Sequence, residues 1–311
     1  SISDNNFEMN FMRGGIINLQ GANITNDINI GKINNNKIIG GENSTATGFL
    51  LYLRESKDSK TSSNIGNLTV DQIKGNLVET TNVTSLLLRS ALVPVENAVV
   101  ISKNGNITVN DISDNKLVAT NCNDNARGGI IYNFLHGGIT TENTTVSLGD
   151  INLKQVSNNR LESKITSASS ATYAMNGRPI SGTIIANSIQ ACQGTAIIKS
   201  INGEYIGNSL VSDRLNASGG VISNSVSGRK DAFVGIGYTL DANNKVTPVK
   251  NAILGIYNNN YVQSNDGVVN GGVIANYIES STDNDIAQIG NIKADFNGNY
   301  VVSKNNDAYG G

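Results

Sequence analysis

Tryptophan is absent from the 311 residues, proline occurs three times, histidine once and cysteine twice. Aromatic residues make up only 5%. Charged residues make up 15%, against about 25% in an average globular chain. Each shortage excludes something. Without tryptophan and with few large side chains, a wide core is hard to build. Cys122 in Asn-Cys-Asn and Cys192 in Ala-Cys-Gln are too few for a disulfide scaffold, and their spacing is not that of metal ligands. No apolar run reaches the ~20 residues of a membrane-spanning helix. The net charge is −2 and no segment concentrates Lys and Arg, which leaves no electrostatic footprint for nucleic acid. A Gly-x-y period is missing, which excludes collagen.

What the chain has instead is glycine (33 residues) and asparagine (49 residues, about one in six). Both are weak helix formers, which argues against a long helical bundle. Ile and Val recur too regularly for a disordered chain. One unit repeats: an apolar or aromatic residue, two variable residues, Asn, then a short apolar run. The strongest copies are Tyr205-Ile206-Gly207-Asn208, Tyr257-Asn258-Asn259-Asn260 and Phe296-Asn297-Gly298-Asn299. Weaker ones run from Ile33 to Asn36, Ile73 to Asn76, Ile112 to Asn115, Val156 to Asn159 and Ile184 to Asn187. Small residues followed by aliphatic runs come next, as in Gly128-Gly129-Ile130-Ile131, Gly219-Gly220-Val221-Ile222 and Gly271-Gly272-Val273-Ile274.

Short apolar strands broken by Gly and Asn cannot bury a face alone. Wound as a solenoid, each rung stacks on the next at ~4.8 Å and hydrogen-bonds to it. Asn tolerates the left-handed backbone of sharp corners, and its amide can stack on the same residue one rung away. Scarce proline fits, because proline removes a ladder donor. The expected fold is all-β: a single-stranded, right-handed parallel β-helix. Anchors about 40 residues apart, read as two rungs per long repeat, give about 13–15 rungs. A propeller or sandwich would carry more aromatics and more hairpin turns. One domain is expected over residues 1–311. Its stop at Tyr309-Gly310-Gly311, in mid-repeat, suggests a piece of something longer.

The structural anchors expected are Asn36, Asn76, Asn115, Asn159, Asn187, Asn208, Asn260 and Asn299. Within the long interval from Asn208 to Asn260, residues 230–250 read as a hairpin leaving the rod, with a turn at Asp241-Ala242-Asn243-Asn244. The stretch from Leu86 to Ile101, with Pro94, reads as a buried rung. His136, in a turn-like Leu-His-Gly-Gly, has no second ligand or nucleophile nearby. Asp111, Asp114, Glu142, Asp150, Asp283 and Asp285 are scattered, whereas a polysaccharide lyase or glycosidase needs clustered acids. Arg178 and Arg229-Lys230 lack a matching acid. No catalytic residue, metal or cofactor is expected, and Cys122 and Cys192 are expected to be free thiols.

The alternation of Phe-x-x-Asn with Gly-Gly-(Ala/Ile/Val) resembles the passenger domains of autotransporters, above all the chlamydial polymorphic membrane proteins and related bacterial adhesins. It is carried by Tyr205 to Asn208 before Gly219-Gly220, Tyr257 to Asn260 before Gly271-Gly272, and Phe296 to Asn299 before Gly310-Gly311. Here Ile or Val usually stands where the family has Ala. The resemblance implies a secreted or surface-exposed passenger on the bacterial outer membrane, anchored through a barrel not contained in these residues. It also implies an adhesin whose partner is a host or bacterial surface receptor, protein or glycan, or another copy of the chain. Two further readings are a polysaccharide-processing β-helix enzyme and a structural filament subunit.

Overall fold

The structure, a computed structural model, describes residues 1–9, 12–13, 17–20, 26–41, 44–54, 65–92, 101–120, 128–137, 144–164, 182–213, 217–218, 221–266, 269–270, 273–305 and 307–309. The described residues form strands and turns without a helix. Three parallel sheets wrap one lumen, which defines a parallel β-helix. Sheet 1 climbs through Ile2–Ser3, Ile28–Asn34, Leu68–Lys74, Ile107–Ser113, Thr144–Ser157, Gly194–Ile206, Ile253–Asn258 and Ile292–Asn297. Sheet 2 is narrow, with Asn6–Met9, Lys37–Gly40, Leu77–Thr80, Lys116–Ala119, Arg160–Ser163, Ser209–Ser212, Tyr261–Ser264 and Tyr300–Ser303. Sheet 3 holds Met12–Arg13 and Ile17–Gln20, then Thr45–Arg54, Asn82–Leu92, Gly128–Gly137, Gly182–Cys192, Ile222–Arg229 and Ile274–Ser280.

Sheet 2 therefore counts eight turns among the described residues, not 13–15. The sequence estimate split each anchor interval into two rungs. Each interval of 31 to 52 residues instead closes one full turn of three strands with their connections.

The lumen is aliphatic. Leu68, Ile107, Ile151, Ile201 and Ile253 stack in one inward column of sheet 1, all fully buried. Ile38, Val78, Leu117 and Leu161 do the same in sheet 2, and Ile131, Ile185 and Ile222 in sheet 3. Burying each such side chain contributes about 1.5–3 kcal/mol, so stability accrues turn by turn.

One corner recurs in every turn. Between sheets 1 and 2 stand Asp4, Asn35, Gly75, Asp114, Asn158, Gly207, Asn259 and Gly298, all at φ between 54° and 66°. Only Gly, Asn and Asp occupy this left-handed column, because other side chains clash there. The next residue is always Asn: Asn5, Asn36, Asn76, Asn115, Asn159, Asn208, Asn260 and Asn299.

The segment expected as a protrusion pairs Tyr238–Leu240 antiparallel with Val246–Pro248. It interrupts a sheet-1 strand. Phe233–Ile236 and Ile253–Asn258 both lie against the unbroken Gly194–Ile206, so the chain leaves the sheet and re-enters in register. This insertion, not a hidden rung, lengthens the 52-residue interval from Asn208 to Asn260.

Candidate functional site

Seven of the eight sequence-derived anchors stand in one column, and Asn187 stands in another. In the first column each amide nitrogen donates to the Oδ1 of the next turn: Asn36 to Asn76 at 2.9 Å, Asn76 to Asn115 at 2.8 Å, Asn115 to Asn159 at 2.8 Å. Asn159, Asn208 and Asn260 continue to Asn299, each step 2.9 Å, and Asn5 begins the column. Backbone N–H groups add a second donor to the same oxygens, as Asn76 N does to Asn115 Oδ1 at 3.1 Å. The remaining amide hydrogen goes to a carbonyl one turn back, as from Asn115 Nδ2 to Ile73 O at 2.8 Å. Each interior amide thus makes all four of its bonds, the condition for burying so polar a group without penalty.

The Asn187 column lies inside sheet 3. Asn133 donates to Asn187 at 2.9 Å, Asn187 to Asn224 at 2.8 Å and Asn224 to Asn276 at 2.9 Å. Sequence reasoning placed Asn187 with the corner anchors and missed this column. Its signal was present as Ile-x-Asn-x-aliphatic at Ile131 to Leu135, Ile185 to Ile189, Ile222 to Val226 and Ile274 to Ile278.

The lumen changes character after Asn159. In earlier turns sheet 1 points pairs such as Val70 and Ile73, or Leu153 and Val156, inward with two residues between them. From Gly194–Ile206 onward the register drops one residue, and the pairs become Gly203 with Tyr205 and Gly255 with Tyr257. Two aliphatic side chains are exchanged for one glycine and one ring. A Cβ on Gly203 or Gly255 would fall on the ring of the tyrosine two residues on. Tyr205 and Tyr257 are fully buried, and burial pushes both phenols above their ordinary range, Tyr205 further through its neighbour Tyr257.

The outer faces carry the candidate contacts. Along sheet 1 runs an open trough of about 830 Å³. Its floor is the column Leu153, Gly203, Gly255 and Ala294; one wall is Asn152, Asn202, Leu254 and Lys293, and the other Lys154, Glu204, Ile256 and Asp295. On sheet 3, Tyr132, Phe134 and His136 form an outward row, with centroids 6.4 and 6.0 Å apart. His136 thus sits in a strand rather than a turn, in register with Gln190. Partial burial holds its imidazole below the ordinary value.

Four of the acids named from sequence are engaged locally, and Asp283 is exposed. Asp111 accepts from Gln72 at 2.8 Å and Asp114 lies 3.7 Å from Lys74. Asp150 accepts from Lys199 and Ser200, each at 2.8 Å. Asp285 caps its own loop, accepting from Ser281 N and Thr282 N. Among the described residues no three His, Cys, Asp or Glu side chains converge. Cys192 is a free thiol. Cys122, Glu142, Arg178, Pro94 and the glycine pairs at 219–220, 271–272 and 310–311 lie outside the described residues.

Comparison with family models, with curated proteins and with solved structures yields no match. What fold and surface define is a ladder-stiffened parallel β-helix with a shallow lateral trough.

Proposed function

We propose that this chain is a non-catalytic bacterial adhesin or self-association passenger, secreted or displayed on the cell surface. In this reading it binds through its long polar face and loops. The observation that carries the reading is the sheet-1 trough. It runs along the rod and mixes amides, both signs of charge and the apolar Leu254 and Ile256. Such a surface suits many modest contacts with an extended glycan or peptide better than it suits one deep pocket. Support also comes from Asp111, Asp150 and Asp285, each tied into local hydrogen bonds rather than poised around a reacting bond. The partner in this reading is a host or bacterial surface receptor. A membrane barrel holding the rod at the outer membrane remains part of the proposal through the repeat resemblance alone.

The test measures adhesion of labelled protein to host and bacterial cells. A Leu254→Asp/Ile256→Asp double variant should lose about tenfold in binding, as central contact residues do, with its circular dichroism unchanged. Equal binding by variant and parent would move the contact off the trough. Release of shortened glycans during incubation would replace the adhesin with a lyase or glycosidase.

A further inference from the structure

The sheet-1 trough offers a ligand one chemistry below and another at its sides. Its floor gives no hydrogen bonds. The strands of Gly203 and Gly255 are paired on both sides, through Leu153, each other and Ala294, so their backbone N–H and C=O groups lie in the plane of the sheet. Neither strand has a free edge, and an extended peptide cannot add a strand to them. Laid across the strands instead, a peptide would bring one N–H and one C=O per residue onto a floor that answers neither. The ligand that fits has an apolar underside and its polar groups at its edges. A chain of pyranose rings has that form, with ring C–H bonds facing down and hydroxyls and substituents reaching sideways.

The walls select the substituent. They stand two residues apart on each strand, about 6.6 Å, and step from turn to turn at ~4.8 Å. The turn of Gly203 sets Asn202 opposite Glu204, and the turn of Gly255 sets Leu254 opposite Ile256. The first of these turns is rich in acceptors. Asn202 Nδ2 donates to Asn152 Oδ1 at 2.8 Å and to Ser200 Oγ at 2.9 Å, while Asn202 Oδ1 is buried without a partner among the described residues. Its register partner Leu254 stands where an amide would have continued this ladder. Glu204, across the trough, is exposed and joins none of the ion pairs among the described residues. The second turn is aliphatic on both sides. Acceptors beside an apolar pair complement an acetamido group, because in a trans amide the N–H and the acetyl methyl lie on the same edge. Lys154 and Lys293 balance Glu204 and Asp295, so the walls give a polyanionic chain no advantage.

We infer that the trough takes an extended, uncharged glycan containing N-acetylhexosamine, laid along the rod. The acetamido N–H donates on the turn of Asn202 and Glu204, and the methyl rests between Leu254 and Ile256. From Leu153 to Ala294 the floor spans three steps, about 14 Å, which is room for a trisaccharide. The inference rests on the reading of the trough as the contact surface and adds the class of molecule it contacts.

Calorimetric titration of the 311-residue chain with tri-N-acetylchitotriose and with cellotriose, which lacks the acetamido groups, tests it. The first sugar should bind about tenfold tighter, since a seated acetamido group adds a buried methyl and a hydrogen bond. Ile256→Ser removes one side of the apolar pair and should cut that preference to about twofold or less, with cellotriose affinity unchanged. Leu254→Ser takes its place if circular dichroism shows the first variant unfolded. Equal affinity of the parent for the two sugars, no heat from either at millimolar concentration, or an Ile256→Ser chain that keeps the full preference would overturn the inference. So would adhesion to cells that protease treatment abolishes and tri-N-acetylchitotriose does not compete, which would make the ligand a peptide. Cell adhesion lost in the Leu254→Asp/Ile256→Asp chain, with neither sugar bound by the parent, would end this inference and keep the adhesin reading. Selective binding of tri-N-acetylchitotriose by a parent that adheres to no cell would do the reverse.

Discussion

The ring of Tyr205 lies flat against that of Tyr257, with centroids 4.7 Å apart and planes 6° apart. Phe296 extends the stack, 5.1 Å from Tyr257. Both phenol oxygens are buried without a hydrogen-bond partner among the described residues. An unpaired buried hydroxyl costs about 1–3 kcal/mol, and Phe296 shows that the column accepts a ring without one. Tyr257→Phe should therefore leave stability unchanged or raise it by up to about 1 kcal/mol in urea unfolding. Tyr257→Ala should cost about 3–5 kcal/mol through the cavity it opens.

The glycines beneath those rings give a paired test. Gly255→Ala drives a methyl onto the Tyr257 ring and Gly203 O, and should cost about 1–3 kcal/mol as overpacking. Gly31→Ala meets open space and should be neutral or slightly stabilising, by up to about 1 kcal/mol, because the unfolded chain loses freedom. Equal effects at the two sites, read from urea midpoints, would contradict the exchange of aliphatic pairs for a glycine and a ring.

Asn115 is the middle of the corner ladder. Asn115→Ala strips the acceptor from Asn76 N and Nδ2 and the donor from Ile73 O and Asn159 Oδ1. Leaving several buried groups unpaired should cost about 2–4 kcal/mol. Asn115→Asp keeps the shape but turns an oxygen toward two acceptors, so it should be no milder. Asn110→Ala, at an exposed amide, should stay within about 0.5 kcal/mol. Chemical denaturation of the three variants separates a buried ladder from an ornamental one.

The corner was legible in the sequence because its requirement is local: a left-handed residue must be Gly, Asn or Asp, and the ladder residue must follow it. The aliphatic columns were legible for the same reason, since inward positions repeat. The number of turns was not, because spacing alone does not say how many strands lie between two corners. The internal column through Asn133, Asn187, Asn224 and Asn276 was hidden by the abundance of Asn elsewhere. The trough could not be read at all. Its walls come from residues about 40–50 apart, joined only by strand register. The hairpin was readable from alternation and turn residues, but not its insertion within one strand.

His136 and Glu162 are among the groups that make the rod sensitive to acid. Burial holds the His136 imidazole below its ordinary 6.5, so the folded state favours the neutral ring. The unfolded chain then binds more protons, and stability should fall as the pH drops from 6.5 toward the folded value. For Glu162, burial pushes the carboxyl up, but the Arg160 hydrogen bond and the charges of Arg160 and Lys116 together outweigh it and hold it below 4.5. Its contribution is present above 4.5 and is lost as the pH falls through the lowered value. Urea midpoints across pH should decline in these two windows. His136→Gln should flatten the upper one and Glu162→Gln the lower.

The hairpin is an insertion that the rod can lose. Gly237 N donates to Ile198 O at 2.9 Å, and Gly290 N donates to Ile236 O at 2.8 Å. On the other side, Ile201 N donates to Ala252 O at 2.9 Å and Ala252 N to Asn291 O at 2.7 Å. Gly237 and Ala252 therefore stand where Gly290 and Asn291 stand one turn later, and a Cβ on Gly237 would touch the Ala252 methyl. Deleting residues 238–251 joins Ile236-Gly237 directly to Ala252-Ile253, the spacing of Ile289-Gly290-Asn291-Ile292. The edge contact of Phe233 with Tyr238, 5.1 Å, is lost, but the lumen and both asparagine ladders are untouched. The shortened chain should unfold cooperatively, with a melting temperature within about 4 °C of the parent, equivalent to roughly 1 kcal/mol or less. A chain that fails to fold would make the hairpin part of the solenoid's support. A chain that folds and keeps its cell binding would confine recognition to the regular faces.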